Sequence, residues 1–300
     1  MSTFLLYIVL SLPLVGAYAL LGLGITVIYQ SSRVLNLAHG AMAMGGAYAT
    51  YQLALWHLPL LVAVIAGVVT GALLGVLVER VFVRQLRSAG PTTQTVGTVA
   101  ALTLSIALAG RIWGTLPVNA PRVLPRGALR LGDGFVPWTQ FGIFPISLAG
   151  AGVLFFMFKY TDIGLAMRGA AQNRRGAALR GVDPDRTAML AWVLGGGFAA
   201  LAGILLAGAT ELDPFSVSLG VLPAFVAALI GGLESMPGVC IGALIVGIVQ
   251  GMVPYMATLP RVGGVVQGQG APELVLSVLA LTVMALRGVR LATGDVRSEM

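Results

Sequence analysis

Six stretches of this chain, residues 1–32, 34–78, 134–158, 187–210, 214–233 and 235–260, contain no Asp, Glu, Lys or Arg. A helix needs roughly 20 apolar residues to cross a bilayer core, and a backbone inside lipid must satisfy its own hydrogen bonds. These runs, together with residues 92–110 and the stretch after Glu273, therefore predict about eight or nine helical spans. Composition agrees: 57% of the residues are apolar and 10% are charged, against roughly a quarter charged in soluble domains. The expected fold class is an all-α polytopic membrane protein, a bundle of about 8–9 transmembrane helices forming one domain over residues 1–300. No Lys or Arg precedes Arg33, so the first run lacks the basic flank of a cleavable signal and is expected to stay as a span. Cys240 is the one cysteine, and its apolar surroundings in sequence suit a structural thiol.

What charge there is falls in clusters that set the orientation. Arg80, Arg84 and Arg87 form one; Lys159, Arg168, Arg174, Arg175, Arg180 and Arg186 a second; Arg287, Arg290 and Arg297 a third. Even numbers of crossings separate them, so one face carries all three, and short basic loops stay cytoplasmic. The connector at about 159–186 is then cytoplasmic, as is the carboxyl end, while the loop at about 111–140 lies outside. That loop carries Arg111, Arg122, Arg126 and Arg130 against Asp133, which opposes the charge rule; its prolines 117, 121, 125 and 137 suit a long irregular loop. The acidic Glu211–Asp213 connector fits an outside position. Residues 34–56 read either as a full span or as a broken one, which leaves the amino-terminal side open. Glycines at four-residue spacing (Gly67, Gly71 and Gly75; Gly238 and Gly242; Gly247 and Gly251) predict close helix packing.

Several chemistries are excluded. Lys159 is the only lysine and follows Phe158, so no phosphate-binding P-loop exists. With only His39 and His57 as imidazoles and no Cys/His cluster, neither a metal centre nor a hydrolytic site is expected. Glu234 lies in a Gly231–Gly238 turn sequence rather than inside a span, unlike the carboxylates of proton pumps. What remains is a membrane bundle without an engine. The chain is not expected to be an enzyme.

Three segments carry a family resemblance. Gly24–Tyr29 followed by Arg33–Tyr48, with its Asn36-Leu37-Ala38-His39-Gly40 core, resembles the amino-terminal signature of the permease subunits of branched-chain amino acid ABC importers. The connector Gly164–Asn173, running on through Ala178–Val182 to Arg186, is similar to that family's cytoplasmic loop, and Ala227–Gly238 with Gly242 resembles a third block. The length resembles the shorter, H-type subunit. The resemblance implies partners: a longer M-type permease subunit, two cytoplasmic ATPase subunits and an extracytoplasmic binding protein, with surrounding membrane lipid and no nucleic acid. ATP is then used by the partner subunits and no cofactor by this chain. It also implies the cytoplasmic membrane of a bacterium.

Two groups of residues follow as candidate sites. In the connector, a short cytoplasmic coupling helix at about 164–181 would set Gly164, Ala166, Ala170, Ala171, Gly176, Ala178 and Gly181 among Arg168, Arg174 and Arg175. Small residues allow close docking in a groove, and arginines can pair with acids at its rim; a solvated basic loop near anionic lipid is the plainer alternative. Asn36, His39 and Gly40 suggest an interrupted helix, tolerated only inside protein or beside a water-lined path. They either shape the translocation path or simply tie broken backbone to its neighbours. Branched-chain or related hydrophobic amino acids are the implied cargo; urea, short amides or other amino acids stay open, as does a self-sufficient channel or secondary transporter.

Overall fold

The computed structural model describes residues 3–124, 127–131, 134–209, 211–260, 263–266, 268 and 270–298. Pro125, Arg126 and Asp133, singled out above, lie outside the described residues, as do the side chains of Arg287, Arg290 and Arg297. The chain is a helical bundle: α1 Thr3–Ser32, α2 His39–Leu55, α3 Leu60–Val78, α4 Pro91–Trp113, α5 Trp138–Tyr160, α6 Asp162–Gln172, α7 Arg174–Leu179, α8 Pro184–Ala207, α9 Pro214–Leu219, α10 Val221–Gly231, α11 Met236–Gly251, the single turns α12 Val253–Met256 and α13 Gly263–Val266, and α14 Ala271–Ser298. Between α4 and α5 the expected irregular loop contains a two-stranded hairpin, β1 Ala128–Leu131 against β2 Gly134–Pro137.

Among the described residues, seven helices are long and apolar enough to cross a membrane, with α9 and α10 counted as one broken span over Pro214–Gly231. Two more segments pack into the bundle. The apolar part of α14, Ala271–Ala285, packs Leu276, Leu279 and Ala280 onto the central core. The other is the chain after α1. Arg33 ends α1 in a left-handed conformation (φ 58°), and residues 34–38 then turn back, unwound, into the bundle. Met42 in the first turn of α2 is already at the level of Gly71 and Gly196, well inside α3 and α8. The broken segment thus re-enters the bundle beside α3 and α8.

Small residues bring the helices together. α3 buries Gly67, Gly71 and Gly75 against α2 and α8, where a Cβ at Gly75 would lie 2.2 Å from the Trp192 carbonyl oxygen. Its other side presents Leu61, Ile65, Val69, Leu73 and Leu77, with Leu61 72% exposed, as an apolar stripe suited to lipid tails or a second subunit. α11 divides its glycines between two partners: Gly238 and Gly242 meet α10, and Gly247 and Gly251 meet Val15 and Ser11 of α1. Such contacts supply van der Waals attraction where lipid removes the hydrophobic drive between helices. The central core gathers Leu20, Leu23, Ile28, Trp192 and Val239 around α1, the helix that touches α5, α8, α10 and α11. Cys240 packs, partly buried, against the same core.

Candidate functional site

The charged connector folds into two helices, not one. Asn173 adopts an extended conformation between α6 and α7, and its side-chain Oδ1 accepts the Gly176 amide at 2.9 Å, so the expected helix over about 164–181 is broken and restarted there. Thr161 caps α6 in the same way through Gly164, and Asp183 caps α8 by accepting the Asp185 and Arg186 amides. Side-chain oxygens of this kind satisfy the amides that a helix start leaves unpaired. Gly164 sits so close to α5 that a Cβ would lie 2.0 Å from the Phe158 carbonyl oxygen. Gly181 has φ +82° and closes the turn after α7.

The two helices enclose an open cleft of about 490 Å³ lined by Asp162, Leu165, Ala166, Gly169, Gly176 and Ala177, with Arg180 and Val182 at its edge. Arg175 and Ala178 are exposed, Ala171 is half-buried and Ala170 is buried. Leu179 is 88% exposed at the tip. Not every arginine faces outward. Arg168 turns back and donates to the Phe158 carbonyl at 2.9 Å and to that of Lys159 at 3.4 Å. Arg174 pairs with Asp185, which also accepts from Arg84 at 2.8 Å and Arg87 at 2.7 Å. Arg87 in turn holds Glu79 at 2.9 Å. One cluster therefore joins α7, the start of α8, and the π-helical turn Glu79–Val83 that ends α3.

Glu79 escaped the sequence reading. It stands at the end of an apolar run next to Arg80 and reads as a solvated charge, yet it is 1% exposed, because Arg87 folds over it from eight residues along the chain.

At the helix break, Asn36 and His39 are both fully buried. Thr98 of α4 ties down the unwound backbone: its hydroxyl accepts the Leu37 amide at 3.0 Å and donates to the Thr95 carbonyl at 2.7 Å. The His39 ring lies beside the Leu21 carbonyl and against Gly24 of α1, where a Cβ would come within 2.8 Å of Nε2. Neither ring nitrogen makes a well-formed hydrogen bond, and Asn36 Oδ1 has none. Asn36 donates only to the Met42 sulfur at 3.7 Å. Gly40 abuts α9, 2.0 Å from the Ser218 carbonyl oxygen to a notional Cβ, so a second broken span meets the first here.

On the opposite face, α1, α9, α10, α11 and α14 surround a cleft of about 1050 Å³. Leu10, Leu14, Leu222 and Leu276 give it apolar walls, and Glu211, Asp213 and Glu273 an acidic side. Tyr18 donates to Gln250 Oε1 at 2.8 Å within it. Neither Asn36 nor His39 lines this cleft. Sequence reasoning missed it, since Tyr18 and Gln250 are 232 positions apart and isolated among apolar residues.

The sequence matches the family described as "Branched-chain amino acid transport system / permease component" over residues 7–285. The chain belongs to this permease family. The Escherichia coli K12 protein named "High-affinity branched-chain amino acid transport system permease protein LivH" is 29% identical to the permease over 255 residues, 79% of this chain and 82% of that protein. "Probable branched-chain amino acid transport permease protein LivH" of Methanocaldococcus jannaschii is 26% identical over 274 residues, 88% of this chain and 85% of its own length. A solved structure, "PsaBC from Streptococcus pneumoniae in complex with Fab", contains a chain similar at 13% identity and TM-score 0.48, covering 94% of the permease and 91% of that chain. The permease is a multi-pass membrane protein of a transport family.

Proposed function

We propose that the permease is the H-type subunit of an ABC importer that moves branched-chain or related hydrophobic amino acids inward through the bacterial cytoplasmic membrane. It pairs with a longer M-type subunit, and two ATPase subunits dock on α6 and α7. A binding protein delivers substrate to the opposite face, where the hairpin loop and the acidic connector lie. The chain itself performs no catalysis and holds no cofactor. The carboxyl end is cytoplasmic and the start of α1 extracytoplasmic.

The observation that carries this reading is the mechanical link at the connector. Arg168 fastens α6 to the end of α5, and Arg174 fastens α7 through Asp185 to α3 and α8. A displacement of the α6–α7 unit therefore reaches three spans at once, and α8 packs directly on the broken helix α2. ATP-driven closure of the partners would shift the bundle between two arrangements. The break at Asn36, His39 and Gly40 is where rearrangement gains most, because a buried polar atom without a partner costs about 1–3 kcal/mol and regains it on finding one. These residues shape the path from behind its wall.

Reconstitution tests the proposal. Leucine uptake into proteoliposomes should require the second permease subunit, both ATPases, the binding protein and ATP; uptake by this chain alone would instead establish a self-sufficient channel or secondary transporter. Competition by urea or short amides in place of leucine would reassign the substrate.

A further inference from the structure

The cleft walled by α1, α9, α10, α11 and α14 has a depth and a charge that select an occupant. Tyr7, Leu10, Leu14 and Tyr18 line it from one face of α1, at the three- and four-residue spacing that stacks side chains along a helix. At 1.5 Å per residue the cleft follows α1 for about 16 Å, and Tyr18 stands midway along that helix. Tyr18 donates to Gln250 Oε1 at 2.8 Å, which fixes the amide and leaves its Nε2 hydrogens for an occupant. Gln250 is only half-buried, lines the cleft, and makes no other side-chain hydrogen bond among the described residues. Glu273, in the first turn of α14, lines the same cleft, is exposed, and forms no salt bridge among the described residues. It is near enough to the Tyr18 hydroxyl to act on it electrostatically. Among the described lining residues none is Lys, Arg or His. Of the other two acids, Asp213 caps α9 and Glu211 is also engaged, so Glu273 is the carboxylate offered to a ligand.

We propose that this cleft is a recognition site for cargo within the permease itself, and that it selects by charge. Glu273 pairs with the ammonium group of an amino acid, Gln250 Nε2 donates to its carboxylate, and Leu14, Leu222 and Leu276 hold an apolar side chain. The volume of about 1050 Å³ lies at the upper end of ligand sites, which suits a passage better than a tight pocket. Cargo without an ammonium group would set its carboxylate beside Glu273 with no cation in the walls to offset the repulsion. The permease thus adds a filter against anions to whatever selection precedes it. This inference rests on the proposed import function for the side from which cargo enters; the recognition chemistry does not.

Thiol protection in the purified transporter complex, without binding protein or ATP, tests the site. Ser216 is exposed and lines the cleft, so Ser216→Cys in a Cys240→Ala background places a reporter there. Leucine and 3-methylbutylamine should slow its reaction with methyl methanethiosulfonate, whereas 4-methylpentanoate, which lacks the ammonium group, should not. Glu273→Gln should raise the protecting concentration of both ligands about tenfold or more, as loss of a charged hydrogen bond implies. Gln250→Met, which removes the amide at similar length, should weaken protection by leucine and leave that by the amine unchanged; the retained amine protection also reports an intact fold. A reporter that does not react at all would mean that the second subunit covers the cleft, and would overturn the site. So would absence of protection up to about 100 mM leucine, equal protection by 4-methylpentanoate, or unchanged protection in Glu273→Gln. Equal weakening of both ligands by Gln250→Met would overturn the placement of the carboxylate. Failure of the assembled importer to take up leucine counts against the transport reading, while the protection assay judges the cleft separately.

Discussion

The Arg168 guanidinium of α6 donates a 2.9 Å hydrogen bond to the carbonyl oxygen of Phe158, ten residues earlier in α5, and lies 5.3 Å from the Phe158 ring centroid. The last carbonyls of a helix lack intrahelical donors, so a cation there both satisfies and complements them. The same contact ties α6 to the end of α5. Arg168→Ala is expected to loosen this junction by about 1–2 kcal/mol and to lower leucine uptake more than ATP hydrolysis in the reconstituted transporter. Parallel loss of both activities would mean that the residue supports only folding.

Asp185 accepts from Arg84 and Arg87 of the connector after α3 and from Arg174 of α7. Asp185→Asn keeps the shape and removes the charge that gathers them. Uptake should fall about fivefold or more, within the usual range of coupling energies, with binding-protein affinity unchanged. Measuring ATP hydrolysed per leucine transported reads the effect directly, and an unchanged ratio would contradict a role in coupling.

Where backbones touch, a methyl group is not tolerated. A Cβ at Gly242 would lie 2.0 Å from the Ala227 carbonyl oxygen, and one at Gly40 the same distance from that of Ser218. Overpacking of this kind costs about 1–3 kcal/mol, so Gly242→Ala and Gly40→Ala should each lower the thermal unfolding midpoint in detergent. Gly152→Ala, with open space around it, should not.

Thr98 holds the unwound segment through its hydroxyl, and Thr98→Val removes that hydroxyl at nearly constant volume. The Leu37 amide then loses its partner at a cost of about 1–3 kcal/mol. On the proposed reading, which sets this segment behind the path, uptake should drop through a lower maximal rate with little change in half-saturation. A raised half-saturation constant alone would place it in contact with substrate.

The membrane fold was legible because each span announces itself by the absence of charge, and the glycine ladders of α3 and α11 predicted the faces that pack. Asn173 was harder: it reads as one more polar residue in a helix, and only its extended backbone and its bond to Gly176 show that it restarts one. The wide cleft and buried Glu79 were not legible at all. Both depend on residues far apart in sequence or folded over by a neighbour, and a carboxylate beside Arg80 carries no local sign of burial. The broken span was foreseen at Asn36 and His39, but its direction needed Met42 beside Gly71 and Gly196.

The central claim is that α6 and α7 are the surface gripped by the ATPase subunits. Leu179, 88% exposed at the tip of α7, is the place to measure it, with Cys240→Ala removing the native thiol. Leu179→Cys carrying a photoactivatable cross-linker in the assembled transporter should join an ATPase subunit, and a membrane-impermeant maleimide should reach it only from the cytoplasmic side. Labelling from outside intact cells, with no cross-link to an ATPase, would contradict the account.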